Sequence, residues 1–518
     1  MTFIKVSQLW ISKFISLLHF TKNQEARLVI PKAAIENISI GVGRNTIASA
    51  ARRVIKNAGT LLIGNIINRF CSLIFFVLAA RHIGAVGFGK FSFAFSFAAS
   101  FLVLSDLGFN TVAVRDVAAD KTLAGKYLGN VILLRMFLLV ILLAAASLVI
   151  TLLDYPLDTS IAVYVLSVSA FFTFFSTALS WSFHAFQKME YDAFVQIVGG
   201  LLLVVLSFIT LYFRGGLIGL SIAHCATSIV VFGVSLITTV VKFARPKFEI
   251  DWNLWKYLIP ASIPIGLVTI LCTLRSNIDT VMLSLLEGDA PVGWYNAGVK
   301  LVKLLELIPS MFTLALFPVM VEFYKNSGDS LRMVFKKSIV YMFLLAVPIA
   351  VGGMILSRKI VLIIWGAEFL QAVPALQILV WKGAIFFFST VTCWCLYTIN
   401  KQKIPMYIYV SGIIINIALN LLLITVLSYI GAAIASAITE FIVAALLFYF
   451  AFRALGANPF QYRMIKITIS ALLMGALTWM IRDFNVILVV VVSMIFYCAV
   501  LFVLKAIDYK ELRQLISA

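Results

Sequence analysis

Seven basic side chains, Arg69, Lys90, Arg135, Arg275, Lys300, Lys303 and Lys382, interrupt stretches that are otherwise apolar for about 20 residues at a time. Only three acids, Asp279, Glu306 and Glu440, stand in comparable settings. A charge at the centre of an apolar helix in lipid costs at least ~2.5–3.5 kcal/mol, so the charges that persist are expected to face a cavity or a partner. An interior with about four more cations than acids attracts an anion. Arginine adds a planar fork that binds an anionic oxygen pair bidentately where the dielectric is low. The chemistry on offer is therefore recognition of an anion rather than bond making.

The positions of these residues separate their roles. Arg69 lies ~18 Å inside its helix at ~1.5 Å per residue, with Asn65 one turn earlier and Asn68 adjacent, which gives that helix a polar stripe. Arg275 is either neutralised by Asp279 four residues on or turned to a ligand. Lys300 and Lys303 share one helix face with Glu306 a turn deeper. Lys382 and Glu440 are both near mid-depth and are expected to pair, as static glue or as a protonation switch. Lys90 and Arg135 stand nearer helix ends, where snorkelling to a headgroup is expected. Arg69, Arg275, Lys300, Lys303, Lys382, Asn65 and Asn68 are thus candidates for an anionic head, and Asp279, Glu306 and Glu440 for ion coupling. No catalytic residue, cofactor or metal site is expected. The six cysteines fall within apolar stretches in no common metal spacing, His184 and His224 read as structural, and no Walker motif is present, so ATP is not the direct energy source.

The elements that must position these groups are membrane helices. A mean hydropathy of +1.06 with 62% hydrophobic and 12% charged residues excludes a soluble domain. Apolar blocks predict about 14 transmembrane helices, centred near residues 68, 98, 140, 169, 203, 229, 271, 309, 348, 386, 416, 441, 473 and 495. Of 41 Lys and Arg residues, 29 fall on the side of the termini, seven within spans, and only Arg81, Arg214, Arg358, Lys359 and Arg482 opposite. Both termini are accordingly expected on the cytoplasmic side of a cell (inner) membrane, and the net charge of +19 is explained by anionic lipid rather than nucleic acid. Residues 1–56 read as a basic cytoplasmic segment without a cleavable signal.

Gly84, Gly89 and Phe91 recur as Gly288, Gly293 and Tyr295, each pair separated by 204 residues. Six crossings return a chain to its starting side, so this spacing predicts parallel repeats about an axis along the membrane normal. The expected divisions are 57–256 (helices 1–6), 257–460 (helices 7–12) and 461–518 (helices 13 and 14 with a tail). Pro260, Pro264, Pro309, Pro318 and Pro348 fall inside spans and are candidate hinges.

The stretches NAGTLLIGNIINRF, ARHIGAVGFGKFSFA and LSDLGFNTVAVRDVAAD between Asn57 and Asp120, with VGWYNAGVKLVKLLELIPSMFTLALFPVM at 292–320, resemble the polysaccharide transporter family. These are the O-antigen and capsule flippases of the multidrug/oligosaccharidyl-lipid/polysaccharide superfamily. The resemblance implies a two-lobed, V-shaped transporter that carries a polyprenyl-pyrophosphate-linked oligosaccharide from the inner to the outer leaflet by alternating access. It also implies arginines of the first and seventh helices on the pyrophosphate, which Arg69 and Arg275 match by helix. Membrane lipids and polysaccharide-assembly proteins would be the partners. The rival readings are a cation-coupled multidrug exporter of the same superfamily, which needs a carboxylate-rich cavity, and a membrane polysaccharide polymerase, which needs a substantial water-facing catalytic loop.

Overall fold

The computed structural model describes residues 44–326, 328–456 and 461–506, and every regular element among them is helical. Residues 1–43 of the basic lead-in and 507–518 of the tail lie outside the described residues, while 44–56 already belong to the first helix. In lipid every backbone amide needs an internal partner, and runs of apolar residues this long can satisfy that only as helices.

The described residues form fourteen α-helices. They are α1 (Arg44–Leu102), α2 (Phe109–Ala119), α3 (Ala124–Leu152), α4 (Leu157–Ala185), α5 (Met189–Tyr212), α6 (Gly216–Lys242) and α7 (Trp252–Glu287), then α8 (Asp289–Leu305), α9 (Leu307–Asn326), α10 (Gly328–Ile364), α11 (Ala372–Thr398), α12 (Lys403–Leu455), α13 (Tyr462–Met480) and α14 (Val486–Val503). Among the described residues twelve spans are long and apolar enough to cross a membrane, and two of them fold back on themselves. In α1 the rings of Phe76 and Phe95 lie 6.4 Å apart, where 19 residues of straight helix would separate them by ~28 Å. In α12 the arms touch so closely that a Cβ on Gly412 would lie 2.8 Å from Val443. With α8 and α9 sharing one crossing, the bundle has the 14 crossings expected, and it is a multi-pass membrane protein.

The fold-back of α12 falls at Ser428, with φ 52° and ψ −136°, and that of α1 at a glycine. Gly84 adopts φ 68°, ψ −177°, a conformation open in practice only to glycine, and Gly288 repeats it at φ 85°, ψ −165° between α7 and α8. The sequence repeat is thus a repeat of backbone geometry. The two motifs also meet. A Cβ on Gly89 would overlap the Asp289 carbonyl, and one on Gly293 would overlap the Ala85 carbonyl, a reciprocal contact of the kind a pseudo-two-fold axis produces. Phe88, Trp365 and Phe369 close the same end of the bundle. There the Glu368 carboxylate accepts from the Ala85 amide at 2.8 Å, and Arg81 caps the carbonyls of Ile363 and Ile364 at the end of α10. This motif end lies opposite the basic end, where Arg115, Lys121, Lys126 and Lys247 sit.

α13 and α14 pack on α10 as an appendage with a small core of their own, and the Tyr497 hydroxyl donates to the Leu344 carbonyl at 2.9 Å. Pro318 and Pro348 are accommodated within α9 and α10. Two expectations are corrected. Arg135 does not snorkel: it is fully buried, donating to Asp106 at 2.5 Å and to the Phe174 carbonyl at 2.8 Å. Lys90 does not reach for a headgroup either, because Asp158 at the start of α4 stands 2.6 Å from its ammonium.

Candidate functional site

A cavity of about 490 Å³ opens inside the second repeat, walled by α7, α8, α9, α11 and α12. Arg275 and Asp279 enter from α7, Lys303 and Glu306 from α8 and its end, Lys382 from α11 and Glu440 from α12. The crossing made by α8 and α9 is broken between them. Pro309 follows three residues after Glu306, so a helical N–H is missing where the chain passes the cavity.

The ion pairs differ from those the spacing suggested. Arg275 does not pair with Asp279: its Nη1 donates to Glu440 at 2.7 Å, and its guanidinium lies 5.5 Å from the Tyr409 ring. Glu440 is buried and also accepts from the Ser389 hydroxyl at 2.7 Å. Lys382 correspondingly does not pair with Glu440, donating instead to the Ser436 hydroxyl at 3.1 Å. Spacing along one helix favours an i, i+4 partner, but a neighbouring helix offered Arg275 an acid with better geometry and deeper burial.

Asp279 is the centre of a second network. Its Oδ1 accepts from Asn420 at 2.7 Å, and its Oδ2 accepts from Tyr295 at 2.7 Å and from Ser436. Asn416 accepts from Asn420 at 3.2 Å. Asn420 Oδ1 and Thr439 Oγ1 are buried without a hydrogen-bond partner. The Asp279 carboxylate thus accepts three hydrogen bonds from neutral side chains, and no cluster of three His, Cys, Asp or Glu side chains occurs among the described residues. Ser389, Asn416, Asn420, Ser436 and Thr439 were not singled out from the sequence, and Tyr295 only as a member of the repeat. The i, i+4 pair Asn416 and Asn420 in an apolar helix was the legible signal.

The remaining candidates lie at the margin or beyond it. Arg69 does not line the cavity, but its Nη1 donates to the Lys303 carbonyl at 3.3 Å, capping the broken end of α8 from the other repeat. Asn68 donates to the Gln196 carbonyl at 2.8 Å, and Asn65 to Leu61 of its own helix. Lys300 turns away from the cavity into the first repeat, with its ammonium 3.8 Å from the centre of the Phe76 ring and 5.4 Å from Phe95. His224 hydrogen-bonds the Ser169 hydroxyl at 2.7 Å, and His184 meets Asp192 at 2.9 Å.

The lining therefore carries three cations and three carboxylates rather than the cationic excess expected, with Arg69 as a fourth cation at its edge. Arg275 and Glu440 neutralise one another. Among the described residues no carboxylate stands within ion-pair distance of Lys303 or Lys382. These two ammonium groups are the ones free to meet an anion.

The chain is 25% identical over 249 residues to the probable low-salt glycan biosynthesis flippase Agl15 of Haloferax volcanii, covering 47% of this chain and 51% of that protein. It is 28% identical over 182 residues to the lipid II flippase MurJ of Bacillus subtilis, covering 34% and 33%. The chain thus spans about half the length of the first relative and a third of the second. A solved structure of a lipid II flippase MurJ in an inward closed conformation superposes with a TM-score of 0.74 at 16% identity, covering 87% of this chain and 99% of that one, which establishes the fold. A MatE family model matches residues 264–422. The model described as polysaccharide biosynthesis protein matches residues 54–324, more than half of the chain, and the protein accordingly belongs to that polysaccharide biosynthesis family.

Proposed function

We propose that the protein is a flippase that carries a polyprenyl-pyrophosphate-linked oligosaccharide across the cell membrane by alternating access. The observation that carries this reading is the convergence of Lys303 and Lys382, unpaired by any described acid, with Arg275 and the nearby Arg69, on one membrane-embedded cavity. A pyrophosphate cannot cross hydrocarbon unaided. Fixed cations in a low-dielectric cavity lower its barrier while the prenyl chain stays in lipid. The names of the relatives, a glycan biosynthesis flippase and a lipid II flippase, agree with this substrate class.

In this reading the basic end faces the cytoplasm, residues 57–256 and 257–460 move as two lobes, and residues 461–506 ride on the second. The closed motif end then makes the described state an inward one. Asp279 with its oxygen neighbours is the coupling site, and Glu306 and Glu440 respond to the same ion or proton. The protein works as a transporter without a catalytic step, with membrane lipids and polysaccharide-assembly proteins as partners.

Surface-glycan complementation in a flippase-deficient strain tests this, with protein level measured in the same membranes. Lys303→Ala, Lys382→Ala and Arg69→Ala are expected to insert normally and to abolish or strongly reduce export. Arg69→Lys is expected to rescue partly, because lysine keeps the charge and loses the fork. Full export by a normally expressed Arg69→Ala, Lys303→Ala, Lys382→Ala triple variant refutes the assignment. The MatE match and the three carboxylates of the lining favour multidrug export as the second reading, which predicts resistance to cationic drugs without glycan export.

A further inference from the structure

From Lys382 towards the basic end, one face of α11 carries Lys382, Phe386, Thr390, Trp394 and Tyr397, each about one turn from the last, and all five line the cavity. At ~1.5 Å per residue this stripe is about 22 Å long, far more than the charged head of a pyrophosphate needs. Trp394 is half-buried and held in a fixed plane by T-shaped contacts with Phe317 at 4.8 Å and Tyr397 at 5.8 Å. The ring forms part of the cavity wall. Glu306, from the broken crossing, lines the same cavity with a carboxylate in no ion pair among the described residues.

An aliphatic chain would be served by a uniformly apolar wall. A wall that alternates aromatic faces with hydroxyl and carboxylate groups instead matches a molecule with apolar C–H faces and a polar rim. A pyranose ring has that pattern: its axial hydrogens lie flat on an aromatic ring while its hydroxyls reach neighbouring acceptors and donors. We infer that this part of the α11 stripe is a saccharide subsite, with Trp394 as its stacking platform and Thr390 and Glu306 as hydroxyl partners, reading the sugars attached to a head held at Lys382. The inference rests on the flippase reading and assigns to it the residues that discriminate glycans.

The test is equilibrium binding to the full chain in lipid nanodiscs. The probes are a bare polyprenyl pyrophosphate and the same lipid carrying N-acetylglucosamine, glucose or galactose. Wild type is expected to bind at least one glycosylated lipid about tenfold more tightly than the bare lipid. Trp394→Ala is expected to erase that difference while leaving the bare lipid's affinity unchanged, and Trp394→Phe to keep most of it. A preference that survives in a folded Trp394→Ala variant overturns the subsite but leaves the flippase reading standing, as does wild type binding all four lipids equally. Wild type that binds none of the four overturns the flippase reading itself. Saturable binding of tetraphenylphosphonium without any lipid binding assigns the aromatic wall to a cation and overturns both.

Discussion

Gly89→Ala should drive the two repeats apart at the motif end. A Cβ at this position overlaps the Asp289 carbonyl oxygen and lies 2.7 Å from its carbon, where ordinary contact begins at 3.4 Å. The carbonyl carbon alone requires a retreat of about 0.7 Å and the overlapping oxygen requires more, and what must move is backbone rather than a flexible side-chain tip. Overpacking of this kind costs about 1–3 kcal/mol. Because the clash exists only while the end is closed, the whole cost falls on the closed state. That shifts the closed-to-open ratio about 5- to 150-fold, at about 1.4 kcal/mol per tenfold. The assay is pulsed electron paramagnetic resonance in nanodiscs with spin labels at Leu157 and Ile363, which are 77% and 58% exposed and sit at the motif ends of α4 and α10, in a background free of the six native cysteines. Gly293→Ala, which meets the Ala85 carbonyl, should lengthen the same distance. Gly233→Ala, which meets nothing within 4 Å, should not. A distance distribution unchanged by a folded Gly89→Ala would refute the view that this glycine contact closes the bundle.

Breaking the Arg275–Glu440 pair should destabilise strongly, by about 3–5 kcal/mol for Arg275→Ala, because a buried carboxylate is left without its counter-charge. The Arg275→Ala, Glu440→Ala double variant should recover much of the unfolding temperature in detergent, and a double variant no more stable than the single one would show the pair is not the cause. Arg135→Ala should likewise lower the unfolding temperature, whereas Lys90→Ala, whose partner Asp158 is partly exposed, should cost about 1 kcal/mol or less. Asp251 caps α7, and Lys126 beside it holds its carboxyl below the usual carboxylate range. This contribution is present above the unfolded pKa of about 3.9 and is lost as pH falls through the lower folded value, so the protection factors of the Asn253 and Leu254 amides, which correct for the pH dependence of intrinsic exchange, should hold from pH 7 to 5 and fall only below about 4. Asp251→Asn should remove that pH dependence, and an unaltered profile would count against the cap.

The sequence by itself determined the class of fold, the number of crossings and the repeat. Each rests on a physical requirement that acts along the chain: apolar length against bilayer thickness, backbone satisfaction in lipid, and glycine at a conformation closed to other residues. It also determined which residues bear charge in the spans. What it could not determine was the pairing, because partners in this bundle come from helices far apart in sequence. Arg275 meets Glu440 across 165 residues and Asp279 meets Asn420 across 141, distances at which spacing carries no information. The asymmetry of the two halves shows the same division. At the 204-residue register Phe75 and Phe91 correspond to Asp279 and Tyr295, and the first pair meets ring against ring at 5.4 Å where the second shares a hydrogen bond at 2.7 Å. The residue types were written in the chain, but only the packed bundle decided that one half holds a dry aromatic core at that place and the other a polar cavity.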